Sequence, residues 1–223
     1  MVKFKIDVDR EKLWNGCILT SIAHAIGVAH YPESSYENTW DGFNYNMQNG
    51  SGAQGTITFH PEYCVIGLQD FESERFDNKA DALIYFEEAP KKVIEIAQKE
   101  TLQYLLEDGD EEDTIPLITT GFWIEENGAY SMERIEGIED NGGQLLEKQL
   151  MDVTSAIELL EEEYELTEEQ LKLLILLYEM KIKSPNKVIK LSENEIAMIG
   201  TDDVEGLQES KISFEQINIT WES

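Results

Sequence analysis

The chain has 223 residues, of which 17 are lysine or arginine and 46 are aspartate or glutamate, so its formal net charge at pH 7 is −29. With 41% hydrophobic and 9% aromatic residues there is enough apolar material for a folded core, and the acidity does not imply disorder. A coat this negative repels DNA, RNA and anionic membrane, which excludes ordinary nucleic-acid binding and leaves a basic protein as the expected partner.

At this size roughly 70% of the extended-chain surface is buried on folding, so no disulfide or metal staple is required. The two cysteines, Cys17 and Cys64, form no C-x-x-C pair, which fits a reducing cytosol. The first nine residues alternate apolar and charged positions where a signal peptide would run apolar. The longest greasy segment is interrupted by Lys172 and Glu179, too soon for a membrane span. The expected location is cytoplasmic.

Phe4, Ile6 and Val8 alternate with charged residues and predict a strand. Leu13, Trp14, Cys17, Ile18, Ser21, Ile22, Ala25 and Ile26 recur at helical steps, capped by Asp9 or Asn15 and stopped near Gly27. Residues 30–55 read as a long loop with one short strand near 43–47. Residues 55–59 and 63–68 predict a hairpin turning at His60-Pro61-Glu62. A helix from Asn78 towards Glu88 follows, then one opened by Pro90 and running through Leu102 to Leu106. Strands are expected at 115–124 and 130–132.

Leu146, Leu150, Val153, Ile157, Leu160 and Tyr164 alternate steps of four and three and predict one helix. Thr167-Glu168-Glu169-Gln170 is a capping box for the next, whose stripe is Leu171, Leu174, Ile175, Tyr178 and Ile182. Residues 188–191, 195–199 and 211–221 read as strands, the last with a bulge at Gln216. The fold class is therefore α+β: a mostly antiparallel sheet, with an antiparallel helical hairpin in the C-terminal half.

Charge is unevenly spread. Residues 13–74 hold no lysine or arginine and seven acids, whereas residues 100–171 hold 22 acids against Arg134 and Lys148, a net of −20. This contrast divides the chain into a neutral, aromatic α+β part at 1–76 and an acidic part at 77–223, or else one continuous domain over 1–223. No internal repeat is visible.

Cys17, early in a predicted helix whose dipole favours thiolate, together with His60 and Asp70, is the one constellation for nucleophilic catalysis. Its competing reading is a buried core cysteine on the stripe of Trp14, Ile18 and Ser21. His24, His30, His60 and the cysteines lack zinc-ligand spacing. Asp108-Gly109-Asp110-Glu111-Glu112-Asp113 resembles the start of a calcium loop, but Asp113 stands where glycine should turn the chain and Thr119 where an acid should close the site. No metal or cofactor is expected. Among 46 acids no carboxylate pair stands out for glycoside chemistry, and Gly50 to Gly55 has glycines without the helix and lysine of a phosphate loop.

A solubility coat needs a net charge of only about 2–8 in a small domain, and crowded anions destabilise the compact state, so a binding role is the preferred reading. The candidate contacts are Tyr36, Trp40 and Asp41, aromatic anchors beside acids, and Asp108, Asp110, Glu111, Glu112 and Asp113, which share a predicted loop. The run Ser35-Tyr36-Glu37-Asn38-Thr39-Trp40-Asp41-Gly42-Phe43-Asn44-Tyr45, followed by Gly55-Thr56-Ile57-Thr58-Phe59 and set in so acidic a chain, resembles the small acidic immunity proteins that accompany bacterial polymorphic or contact-dependent toxins. That resemblance implies a cytosolic, non-enzymatic inhibitor that plugs the basic active site of a toxin, commonly an RNase or DNase. The expectation is an acidic binding protein that captures a basic partner by electrostatic complementarity. A cysteine-dependent hydrolase using Cys17 and His60 and a nucleic-acid mimic are the alternatives.

Overall fold

The computed structural model describes residues 2–109 and 113–221. In chain order it contains β1 (Phe4–Ile6), α1 (Arg10–Gly27), β2 (Asn38–Asp41), β3 (Asn44–Gln48), β4 (Ala53–Thr58), β5 (Cys64–Asp70), α2 (Glu74–Asp77) and α3 (Lys91–Lys99). There follow β6 (Leu106–Asp108), β7 (Thr114–Pro116), β8 (Thr120–Glu125), β9 (Gly128–Ser131), α4 (Ile135–Glu139) and α5 (Glu147–Leu150). The chain closes with α6 (Val153–Glu163), α7 (Glu168–Lys183), β10 (Ile189–Leu191), α8 (Glu193–Ala197), α9 (Val204–Gln216) and β11 (Ile219–Trp221). The class is α+β with a large antiparallel sheet.

Two compact units are each assembled from two stretches of chain, residues 1–11 with 41–147 and residues 12–40 with 148–223. The compositional boundary near residue 76 falls inside the first of them. In that first unit the strands lie in the order β1-β9-β8-β5-β4-β3, every neighbouring pair antiparallel. β5 is buried along its whole length and β8 from Thr120 to Ile124, the signature of strands covered on both faces. Val65 sits opposite Trp123, and on that face both join a core with Phe86, Val93, Ile96, Leu102 and Leu105. α3 supplies Val93, Ile96 and Ala97 to it at helical spacing. β6 and β7 form a separate two-stranded hairpin.

The second unit is mainly helical. Ile18, Leu19, Ile22, Ala25 and Ile26 of α1 share one core with Leu160 of α6, Leu173, Leu174 and Leu177 of α7, Phe214 of α9 and Ile219 of β11. β10 and β11 pair in parallel, unlike the antiparallel pairs described for the first unit.

Several local expectations are corrected. Asn78 ends a helix instead of starting one: Ser73 caps the short α2 by accepting from the Arg75 N–H, and Lys79 takes φ 42°, which stops the turn. The helix after Pro90 ends at Lys99, because Thr101 turns inward and its hydroxyl meets that of Thr58 at 2.8 Å. The helix expected through 146–164 is broken at Asp152, whose carboxylate accepts from the Thr154 and Ser155 N–H groups and so caps α6. Residues 195–199 are not a strand, since Ser192 and Glu195 close a capping box on α8. Residues 211–216 belong to α9, capped by Asp203, and only the end of the expected strand is extended, as β11.

Candidate functional site

The antiparallel register decides which acids meet. Ile6 pairs with Ala129, Ala129 with Ile124, Ile124 with Cys64, and Val65 with Thr58. The β1–α1 junction, the β8–β9 turn and the β4–β5 turn therefore all emerge at one end of the sheet. They line an open pocket of about 590 Å3 whose walls include Asp9, Arg10, Pro61, Glu62, Tyr63, Glu125, Glu126 and Asn127. Four carboxylates face one guanidinium there.

That guanidinium is already used: Arg10 donates from Nη2 to the His60 carbonyl at 2.6 Å and from Nη1 to the Pro61 carbonyl at 3.1 Å, pinning the β4–β5 turn. Glu125 is held as well, accepting from Lys3 Nζ at 3.2 Å and from the Trp123 indole N–H at 2.8 Å. Among the described residues, no lysine or arginine pairs with the exposed side chains of Glu62 and Glu126. Glu126 and Asn127 make the tight turn between β8 and β9, and Gly128, which opens β9 opposite Glu125, takes φ 131°, a conformation open to glycine at little cost.

Farther along the same end, where Asn44 of β3 stands opposite Thr58 of β4, lies a second acidic group. The nearly buried Asn44 amide donates to Glu100 Oε2 at 3.2 Å and to the Tyr104 hydroxyl at 3.3 Å, while its carbonyl accepts from Thr58 at 2.7 Å. Tyr104 in turn donates to Asp41 Oδ2 at 2.7 Å. Burial, and then this bond to Asp41, holds the Tyr104 phenol above its ordinary range. From β1 to β3 the sheet end is about 24 Å wide, at about 4.8 Å per strand.

At the opposite end of the sheet Asp70 and Glu133 are engaged internally, beside the exposed Glu72 and Glu74. Asp70 accepts from the Glu72 N–H and from Gln144, and Glu133 grips Arg75 and accepts from Thr120.

Of the residues singled out from sequence, Asp41 belongs to the Tyr104 group. Tyr36 is exposed, in the second unit. Trp40 is not a protruding anchor: it packs against the second unit's core, its indole N–H donates to Ser21 Oγ at 2.8 Å and its backbone N–H to Gln216 at 2.8 Å. Asp108 and Asp113 are exposed at the β6–β7 hairpin, where Gly109 N–H donates to the Asp113 carbonyl and Lys79 to the Asp108 carbonyl. Asp110, Glu111 and Glu112 lie outside the described residues.

The thiol constellation is not assembled within a unit. Cys17 is wholly buried in the second unit, while His60 and Asp70 belong to the first and stand at opposite ends of β5, about 20 Å apart at 3.3 Å per residue. His60 Nδ1 accepts from the Glu62 N–H at 3.2 Å. Cys64 is also enclosed, and burial pushes its thiol up to about 12. Among the described residues no group of three or more His, Cys, Asp or Glu side chains is placed to hold a metal ion, and no helix is long and apolar enough to cross a membrane.

Asp9, Glu62, Glu125 and Glu126 were missed in the sequence because they are far apart in it. No protein-family model, no curated protein and no solved structure matches the chain.

Proposed function

We propose that this protein is a non-enzymatic, immunity-type inhibitor that captures a basic partner, a toxin or nuclease domain, by electrostatic complementarity. The observation that carries the reading is the pocket at the sheet end, where, among the described residues, Glu62 and Glu126 stand without a cationic partner beside Asp9 and Glu125. A partner's lysine or arginine side chain entering there would gain charge-assisted hydrogen bonds, roughly twice as strong as neutral ones. Asp41 and Glu100, set around Tyr104, extend the same surface and place an aromatic ring beside carboxylates, a composition common at the energetic centre of interfaces. The remaining negative charge would raise association rates with a cationic surface by roughly 10- to 1,000-fold at low salt.

The test is fluorescence anisotropy with a labelled oligolysine peptide as probe. Glu62→Gln with Glu126→Gln should weaken binding by about tenfold or more, since a tenfold change is about 1.4 kcal/mol and two charged contacts are removed. Unchanged affinity in that variant would refute the pocket as the recognition site.

A further inference from the structure

Helix α7 buries Gln170, Leu173, Leu174, Leu177, Tyr178 and Lys181, one continuous stripe at helical spacing. Its other face mixes charged residues with exposed apolar ones, where the outer face of a surface helix is ordinarily polar. Leu176 and Met180 are each 40% exposed and Ile175 37%. At 3.6 residues per turn, Glu169, Lys172, Leu176, Met180 and Lys183 fall within a sector of about 80° and form one outward stripe.

The order of charges along that stripe is the informative feature. Glu169 and Lys183 lie seven residues to either side of Leu176, and Lys172 and Met180 four to either side. If a second α7 is laid antiparallel across a two-fold axis through Leu176, Glu169 of each copy meets Lys183 of the other. Lys172 then covers the opposite Met180 with its methylene stem, and the two Leu176 side chains pack on the axis. Lys172 Nζ already holds Glu169 Oε1 at 2.6 Å, so each end of the pairing becomes a lysine–carboxylate–lysine group. A two-fold interface requires such self-complementarity.

Charge also selects the occupant. Two chains of −29 repel one another over most of their surface, yet with Lys181 buried the exposed charges of α7 are Glu168, Glu169 and Glu179 against Lys172 and Lys183, a net of only −1. It is a face on which a second copy approaches with little repulsion, whereas its outward lysines oppose the basic partner proposed for the acidic sheet end. We infer that the outer face of α7 is a self-association surface that pairs two copies of this chain antiparallel about Leu176. One helix of 16 residues is about 24 Å long, which buries less than a standard interface of about 1,600 Å2, so the dimer is weak and reversible.

Sedimentation equilibrium of the full chain tests this. Wild type should show a concentration-dependent monomer–dimer equilibrium. Leu176→Glu should weaken it by about tenfold or more, because two like charges meet on the axis. Glu169→Lys and Lys183→Glu should each weaken dimerisation, and the double variant carrying both changes should restore it. Circular dichroism confirms that each variant keeps its helices, and Met180→Glu replaces any that does not. A chain that stays monomeric at every concentration, a dimer indifferent to Leu176→Glu, or a double exchange that fails to restore association would each overturn the inference. So would a monomer whose α7 face binds anionic vesicles instead.

Discussion

Arg75 and Glu133 face each other through two parallel hydrogen bonds, Nη1 to Oε1 at 2.9 Å and Nη2 to Oε2 at 2.8 Å. Thr120 donates to the same carboxylate at 2.6 Å, and Arg75 also donates to the Thr119 carbonyl at 2.9 Å. The hydrogen bonding of Arg75 to Glu133 is the main reason the guanidinium is held above its usual range. Deleting the acid strands a half-buried cation and a buried hydroxyl, so Glu133→Ala should cost about 2–3 kcal/mol in urea denaturation. By contrast Lys92 and Glu95, 3.8 Å apart and both exposed, form a pair whose loss should change stability by about 0.5 kcal/mol or less.

His24 is 1% exposed, with Nδ1 3.3 Å from the Tyr164 hydroxyl and Nε2 3.4 Å from the Ser35 carbonyl. Burial takes its pKa from 6.5 to about 4, the Ser35 carbonyl opposing and Lys148 assisting. The folded pKa is thus depressed, so the unfolded chain binds the proton first. The contribution of His24 to stability is complete above pH 6.5 and is lost as pH falls towards 4, by about 3 kcal/mol. Denaturant midpoints for wild type and His24→Gln should therefore converge across that interval. A difference that does not vary with pH would contradict this.

Lys181 lies on the core stripe of α7 at 2% exposure, and its Nζ has no hydrogen-bond partner among the described residues. Burial lowers its pKa. A buried amine without a partner opposes folding, and a flexible apolar side chain of similar length removes that penalty. Lys181→Met should stabilise the protein by about 1–3 kcal/mol, raising Tm by roughly 2–4 °C per kcal/mol at this chain length. A lowered Tm would show that the ammonium is satisfied in solution.

Cys17 and Cys64 are both 0% exposed. Neither thiol should react with iodoacetamide in the native protein, and both should react once it is unfolded. Rapid native alkylation of Cys17 would revive the thiol chemistry weighed from sequence.

What could be read from the sequence was what neighbouring residues determine among themselves. The Thr167–Gln170 capping box is present, with both of its hydrogen bonds, and the β4–β5 hairpin turns where His60-Pro61-Glu62 placed it. α9 was misread because its buried stripe is Gly206, Ser210, Ser213 and Phe214, so small residues hide a helical period that larger ones would have announced. A Cβ on Gly206 would come 2.0 Å from the Ala29 carbonyl oxygen, which is why the stripe is small. The break at Asp152 was hidden by an apolar pattern that continues through it. The acidic pocket could not be read at all, since among 46 acids nothing local marks Asp9, Glu62 and Glu126 as neighbours. Only strand register joins them.

The difference between a recognition surface and a solubility coat is kinetic and positional. Stopped-flow association of a labelled oligolysine peptide, over a range of ionic strength, compares wild type with two variants of equal charge: Glu62→Gln with Glu126→Gln at the pocket, and Glu161→Gln with Glu162→Gln on α6. Recognition at the sheet end predicts a markedly slower on-rate and a shallower salt dependence for the pocket variant alone. Equal slowing in both variants would mean that only total charge matters, and the proposed function would fall.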